Sequence, residues 1–330
     1  MFELIINTGT GLGSGFGENA NLVKYYQPAV LDGVTWETVR KGQPGRLNFS
    51  IVYDGIANFE EGNEVIFKVD GNNIFRGFIF TRKRNKENII NITAYDQLRY
   101  LKNKTIFKYL NETATEVIQM LANEFKLQTG TLENTNYKIA ARIEDNITLW
   151  DIILNALDIT FDNTGRMYVL YDDFGKLTLK DIESMRVNLL IDEESGENFD
   201  YTSSINEETY NQIVLSRENE KTGQREVYPL NDINNIKKWG VLQYYDTVGD
   251  KVNMANMAET LLRLYNKKSS NFSISNVFGD VRVRGGSFVL VKLDLGDVKI
   301  QNWMLVEEAK HIFSKDEHFM SLRLRGGQFD

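Results

Sequence analysis

The chain has no cysteine, three prolines and two histidines among 330 residues. Without cysteine there is no disulfide framework, thiol nucleophile or thiolate-held metal. So few prolines exclude a proline-rich linker. The two histidines, His311 and His318, do not fall in the HExxH spacing of a zinc protease. No apolar run reaches the roughly 18 residues of a membrane-spanning helix. Met1-Phe2-Glu3-Leu4 lacks the basic and apolar regions of a secretory signal. These absences predict a soluble protein made in the cytoplasm, with no membrane insertion. On that expectation, triplets such as Asn91-Ile92-Thr93 are not glycan acceptors.

Basic charge is also in short supply. Lys and Arg number 38 against 46 Asp and Glu, a net charge of −8. That argues against specific nucleic-acid binding, which needs a basic face to neutralise phosphate. Hydrophobic residues at 42% and aromatics at 12% are a globular composition. A length of 330 residues allows two or three domains.

The first hundred residues read as strands. Leu47, Phe49, Ile51 and Tyr53 recur with a period near two. Strands are predicted at 64–69, 74–82 and 88–95. Asp70-Gly71 marks a hairpin between the first two, because both residue types tolerate positive φ. The pattern then turns helical. Thr113-Ala114-Thr115-Glu116 is a capping box ahead of Val117, Ile118, Leu121, Ala122 and Phe125. Thr148-Leu149-Trp150-Asp151 is a weaker second box, followed by Ile152, Ile153, Ala156 and Leu157. A hairpin at 167–180 completes a small α/β unit. Beyond an acidic link at 192–197, strands return at 212–217 and 225–228. A helix is expected over 252–268, with Met254, Met257 and Leu261 in its core stripe. Strands at 287–293, 303–307 and 319–324 end the chain.

The two β-rich ends resemble each other. Gly62-Asn63-Glu64-Val65-Ile66-Phe67-Lys68-Val69-Asp70 aligns without gaps on Gly286-Ser287-Phe288-Val289-Leu290-Val291-Lys292-Leu293-Asp294 (286 − 62 = 224). Each copy continues into an apolar strand, a polar turn and a last alternating strand. The expected fold class is therefore mainly β (α+β). Two similar antiparallel β-barrel domains, 1–103 and 186–330, flank an α/β domain at 104–185. If the repeat is real, Val65 and Val289 both face inward, and Gly62 and Gly286 both precede their strand in a tight turn.

Several segments look chemical. Gly9 to Gly17 carries glycine at every second residue, so no register gives G-x-G-x-x-G, and a loop is expected. His311 and His318 read most simply as one histidine at each end of a hairpin. The pairs Glu60-Glu61, Asp172-Asp173 and Glu307-Glu308 are too common in an acidic chain to mark a glycosidase. Arg82-Lys83-Arg84 reads as a solvated basic turn. No catalytic, cofactor-binding or metal residue is assigned, and no cofactor is expected.

Several stretches together resemble a known family. They are Trp36 with Gly42-Gln43-Pro44-Gly45, Glu61-Gly62-Asn63-Glu64-Val65, Phe75-Arg76-Gly77-Phe78, and Ala94-Tyr95-Asp96-Gln97-Leu98-Arg99-Tyr100-Leu101. Tyr171-Asp172-Asp173-Phe174-Gly175, Gly279-Asp280-Val281-Arg282-Val283-Arg284-Gly285-Gly286 and Lys310-His311-Ile312-Phe313 continue the series. In order and spacing the chain is similar to the baseplate hub proteins of contractile phage tails. The PBSX-like prophage tail proteins, found also in tail-like bacteriocins, match best. The resemblance implies a structural hub and not an enzyme. It implies a homotrimer in the particle, joining the sixfold tail tube to the threefold central spike. Implied neighbours are the tube or a tube-initiator protein, the spike, a LysM-type baseplate protein, the tape measure and the baseplate wedge proteins. DNA would pass through the lumen unbound. The alternatives are a tail-associated cell-wall hydrolase, or the hub of another contractile injection system.

Overall fold

The computed structural model describes residues 1–8, 25–55, 59–192, 194–206, 208–218, 223–249, 252–296, 299–315 and 317–326. The glycine-rich stretch at 9–17 lies outside them. The N-terminal part contains β1 (Phe2–Asn7), β2 (Tyr25–Tyr26), β3 (Val34–Val39), β4 (Arg46–Val52), β5 (Glu64–Val69), β6 (Asn72–Arg84) and β7 (Ile89–Tyr95). The expected β5–β6 hairpin forms, with Asp70 at φ 49° and Gly71 at φ 78°. Both turn residues are left-handed, as the twist of a two-residue hairpin demands.

A middle unit follows: β8 (Lys104–Tyr109), α1 (Ala114–Glu124), β9 (Thr129–Leu132), β10 (Arg142–Thr148), α2 (Leu149–Thr164), β11 (Tyr168–Asp172) and β12 (Leu177–Asp181). Both capping boxes are made, Thr113 with Glu116 and Thr148 with Asp151. Ile118 and Leu121 of α1 and Ile153 and Ala156 of α2 share a core with Leu170 and Leu179 of the β11–β12 hairpin. The other face of β11 turns away from the helices. Val169 and Tyr171 pack with Phe288 and Leu305 from the C-terminal part.

That part contains β13 (Arg186–Asp192), β14 (Asn198–Ser204), β15 (Gln212–Glu218), β16 (Arg225–Asn231), α3 (Ile233–Trp239), β17 (Gln243–Thr247), α4 (Met254–Tyr265), β18 (Ser269–Phe278), β19 (Phe288–Asp294), β20 (Lys299–Phe313) and β21 (His318–Gly326). Between β14 and β18 the chain leaves the main sheet. The strands β15–β17 form their own three-stranded sheet, with Ile213 and Leu215 packed on Met257, Ala258 and Leu261 of α4. The methionine stripe is therefore core. A single C-terminal barrel over 186–330 does not anticipate this separate sheet.

Among the described residues the main sheet has 13 strands. In the N-terminal half the order is β3-β4-β7-β6-β5-β1, and in the C-terminal half it is β14-β18-β21-β20-β19-β13. With the two-residue β2, which lies beyond β1, set aside, the six strands of each half taken in chain order occupy the same places. One direction differs: β1 runs antiparallel to β5, whereas β13 runs parallel to β19. The correspondence reaches single residues. Val65 and Val289 are both fully buried. Gly62 and Gly286 precede their strands at φ 90° and 96°. The bulge of β6 against β7 falls between Ile79 and Thr81, and that of β20 against β21 between Val306 and Glu308. On one edge, β7 and β21 run along their long strands through the bulge, while on the other edge β5 and β19 pair only the stretch before it.

Two barrels were expected, but among the described residues no sheet closes. The reason lies in β3. Its outer edge pairs with β20, from Val39 opposite Glu308 to Val34 opposite Phe313. The edge that could close the first half is thus taken by the second. Each half keeps a separate core, one around Phe67 and Ile92, the other around Val291 and Leu322.

Candidate functional site

The β3–β20 join and the junction beside it bring the three parts of the chain together. Across the join, Trp36 lies opposite His311, and their rings stack with centroids 4.9 Å apart. Arg40 extends the ladder, donating its backbone N–H to the Glu307 carbonyl and its Nε to Glu307 Oε2 at 2.8 Å. Arg325 lies on the other carboxylate oxygen of Glu307 at 3.6 Å and also pairs with Glu208. Lys310 reaches Glu37 at 3.7 Å across the same strands.

Arg284 sits at the centre of the junction. Its guanidinium stacks over the Tyr171 ring at 4.1 Å, and its Nη2 donates to the Asp172 backbone carbonyl at 2.9 Å. Asp96 lies beside it at the start of a short 3-10 turn, accepting the N–H of Gly45 at 2.8 Å and of Leu98 at 3.0 Å. A Cβ at Gly45 would collide with the Asp96 carboxylate, so this approach requires glycine. Gln97 ties the turn to the middle unit, donating to the carbonyls of Gln128 and Gly175.

Burial sets the electrostatics here. Desolvation, then the neighbouring Asp172 charge, pushes the Asp96 carboxyl well above the usual range. Burial raises Asp172 too, against the pull of a Gly175 N–H and of Arg284. Burial lowers Arg284. Two carboxyls that resist ionisation lie around one buried guanidinium, whose Nε finds no hydrogen-bond partner among the described residues. Such a set can carry proton chemistry, but here it has a plain structural use. It draws the turn after β7, the end of β11 and the segment before β19 to one point.

The histidines form a second buried set. His311 Nε2 is 2.9 Å from the Val283 carbonyl and its Nδ1 is 2.9 Å from His318 Nε2. A carbonyl only accepts, so His311 carries its proton on Nε2, and His318 donates to the free Nδ1. Burial drives His311 down to about 3 and His318 down to about 4. Both are neutral at pH 7 and cross-link the β20–β21 hairpin. Among the described residues no group of three or more His, Asp or Glu could hold a metal.

The other segments singled out in the sequence stay apart. Glu60 and Glu61 are exposed. Asp172 lies inside while Asp173 turns the hairpin, so adjacency in sequence was misleading and the relevant partner of Asp172 is Asp96. Glu307 is committed to Arg40 and Arg325, and Glu308 to Arg323 at 3.1 Å. Arg82 lies over the Phe59 ring at 4.5 Å and Arg84 over the Tyr53 ring at 4.1 Å. Sequence reading missed the Arg284 junction. Its signal was present, because Trp36, Gly45, Asp96, Asp172 and Arg284 all lie in the stretches that carried the resemblance. Among the described residues no helix is long and apolar enough to cross a membrane.

Comparison with known proteins places the chain. Two Bacillus subtilis (strain 168) proteins, the uncharacterized protein YqbQ and the phage-like element PBSX protein XkdQ, are each 33% identical over 305 residues. These cover 89% of this chain and 91% of each relative. The 43 kDa tail protein of prophage MuSo2 from Shewanella oneidensis shares the fold, with a TM-score of 0.67 at 11% identity and 98% of both chains covered. The model of the YqbQ-like family matches residues 34–325, from the first residue of β3 to the penultimate residue of β21, and the chain belongs to that family.

Proposed function

We propose that the chain is a structural protein of a contractile phage tail or tail-like particle, and that it forms the baseplate hub. The observation that carries this reading is the pair of six-strand halves with one strand order, joined edge to edge by β3 and β20. A subunit with two equivalent halves can present six similar surfaces from three copies. That is what a part needs when it must match a sixfold tube on one side and a threefold spike on the other. The 33% identity to a protein of the PBSX element supports a tail role. The buried charges at Arg284 and the histidine pair hold parts of one chain together. An acidic net charge of −8 suits a lumen through which DNA passes without binding.

Gold-labelled antibody against the purified chain, applied to tail particles of the source bacterium, tests the proposal. Label is expected at the baseplate end only. Label along the tube, or none on intact and disrupted particles, overturns it. The rival hydrolase reading is tested by incubating the chain with peptidoglycan, from which no soluble fragments are expected.

A further inference from the structure

We infer that a second copy of this chain adds its β14 to the free edge of β6, in the register that β3 already holds against β20. The inference deepens the hub reading and rests on it, but its premise is geometric. Half by half, β6 corresponds to β20. Gly62 donates to the Ile79 carbonyl at 2.8 Å, and Gly286 donates to the Val306 carbonyl at 2.8 Å. Past the bulge, Thr81 opposite Thr93 matches Glu308 opposite Arg323. Likewise β14 corresponds to β3. Trp36 lies opposite Leu47, which lies opposite Ala94. Tyr201 lies opposite Phe272, which lies opposite Leu324.

Within the chain, the stretch of β20 beyond its bulge has β21 on one side and β3 on the other. The matching stretch of β6, Thr81–Arg84, has β7 on one side. Among the described residues no backbone partner lies along its other side. Among the described residues β14 pairs only with β18 and ends the sheet. One chain therefore offers an open acceptor edge and an open donor strand, and it already contains the joint that such a pair makes. Transferring the observed register sets Thr81 opposite Ser204, Lys83 opposite Thr202 and Arg84 opposite Tyr201 of the second copy. The charges fit. Arg82, Lys83, Arg84 and Lys86 meet a strand that carries Asp200 and follows Glu194 and Glu197. Donor and acceptor are different surfaces, so the contact is head-to-tail and builds a ring where the rotation closes. Main-chain pairing also covers two edges that otherwise invite aggregation.

The natural chain lacks cysteine, so disulfide trapping is clean. Two full-length single variants, Lys83→Cys and Thr202→Cys, change exposed residues and are mixed at the highest soluble concentration under mild oxidant. Facing residues of an antiparallel pair are about 4.5–5.5 Å apart at Cα, within disulfide reach. The expected result is a dimer on non-reducing gels from the mixture and not from either variant alone. The double variant is expected to give a closed trimer. Lys83→Cys mixed with Asn198→Cys, displaced by four residues or about 13 Å, is expected to give none. Equal trapping in the displaced pair, self-trapping of a single variant, or no trapping in the mixture overturns the inference. Absent trapping with label still at the baseplate sinks this register alone. Absent label sinks the hub reading itself.

Discussion

Gly62 and Gly286 hold the same backbone conformation, φ 90° and 96°, and each donates its N–H to the strand that follows its own by one hairpin. They differ in surroundings. A Cβ at Gly62 meets nothing within 4 Å, whereas one at Gly286 would lie 2.7 Å from Val169 Cγ1. Gly62→Ala is therefore expected to lose roughly 1–2 kcal/mol from the left-handed backbone alone. Gly286→Ala is expected to lose roughly 1–3 kcal/mol more, through the contact with the middle unit. Urea titration of both variants checks the difference. Equal losses would show that the two sites do not differ in packing.

Removing the guanidinium at the junction leaves two carboxyls buried. Arg284→Met is expected to cost roughly 3–5 kcal/mol near neutral pH. The loss shrinks as pH falls, because Asp96 and Asp172, already raised by burial, take up protons and need no counter-charge. Chemical denaturation of the variant and the natural chain at two pH values checks the trend. A loss independent of pH would mean that the carboxyls are not what Arg284 compensates.

The histidine pair works in the opposite sense. Both folded pKa values lie below the ordinary 6.5, so the unfolded chain binds these protons first. Their contribution is fully present above about 6.5 and is lost as pH falls through about 4 for His318 and about 3 for His311. His318→Gln keeps a donor for His311 Nδ1 and removes one titrating group. Its Tm is expected to fall less than that of the natural chain between about pH 7 and pH 5. Thermal scans of both proteins read the difference directly, with other acidic groups cancelling. Parallel curves would sink the assignment.

The two helix caps give a local test. Thr113→Ala and Thr148→Ala each remove a side-chain acceptor at a helix N-terminus and half of a reciprocal box. Each is expected to cost about 1 kcal/mol. Hydrogen exchange in α1 and α2 checks whether the loss stays within the helix concerned.

What the sequence showed follows from how local each signal is. Asp70-Gly71 names its turn because two adjacent residues set it. Thr113 and Glu116 name a helix start because they bond to each other. The likeness of 62–70 to 286–294 was visible because the same face of each strand is buried. Pairing of Val34–Val39 with Glu308–Phe313 was not visible, because no local pattern says which distant edge a strand will meet. That one pairing takes an edge from each half, so open halves stand where closed barrels were expected. The unit around β15 and α4 escaped because β16 and β17 alternate half-buried and exposed residues, as any edge of a larger sheet would. The junction escaped because Asp96, Asp172 and Arg284 acquire their meaning only when three distant segments meet.

The β3–β20 join has a consequence for synthesis. Its partners are about 270 residues apart, and at about 5–20 residues per second a ribosome needs roughly fifteen seconds to a minute to deliver the second. Until then the outer edge of β3, with Trp36 on it, stands uncovered on a growing chain. Thr35 and Glu37 flank that tryptophan with polar side chains, the kind of residue that discourages strays from pairing with an open strand. The nascent N-terminal half waits with its docking edge exposed, and a ribosome stalled before β20 would release a product with an unpaired edge.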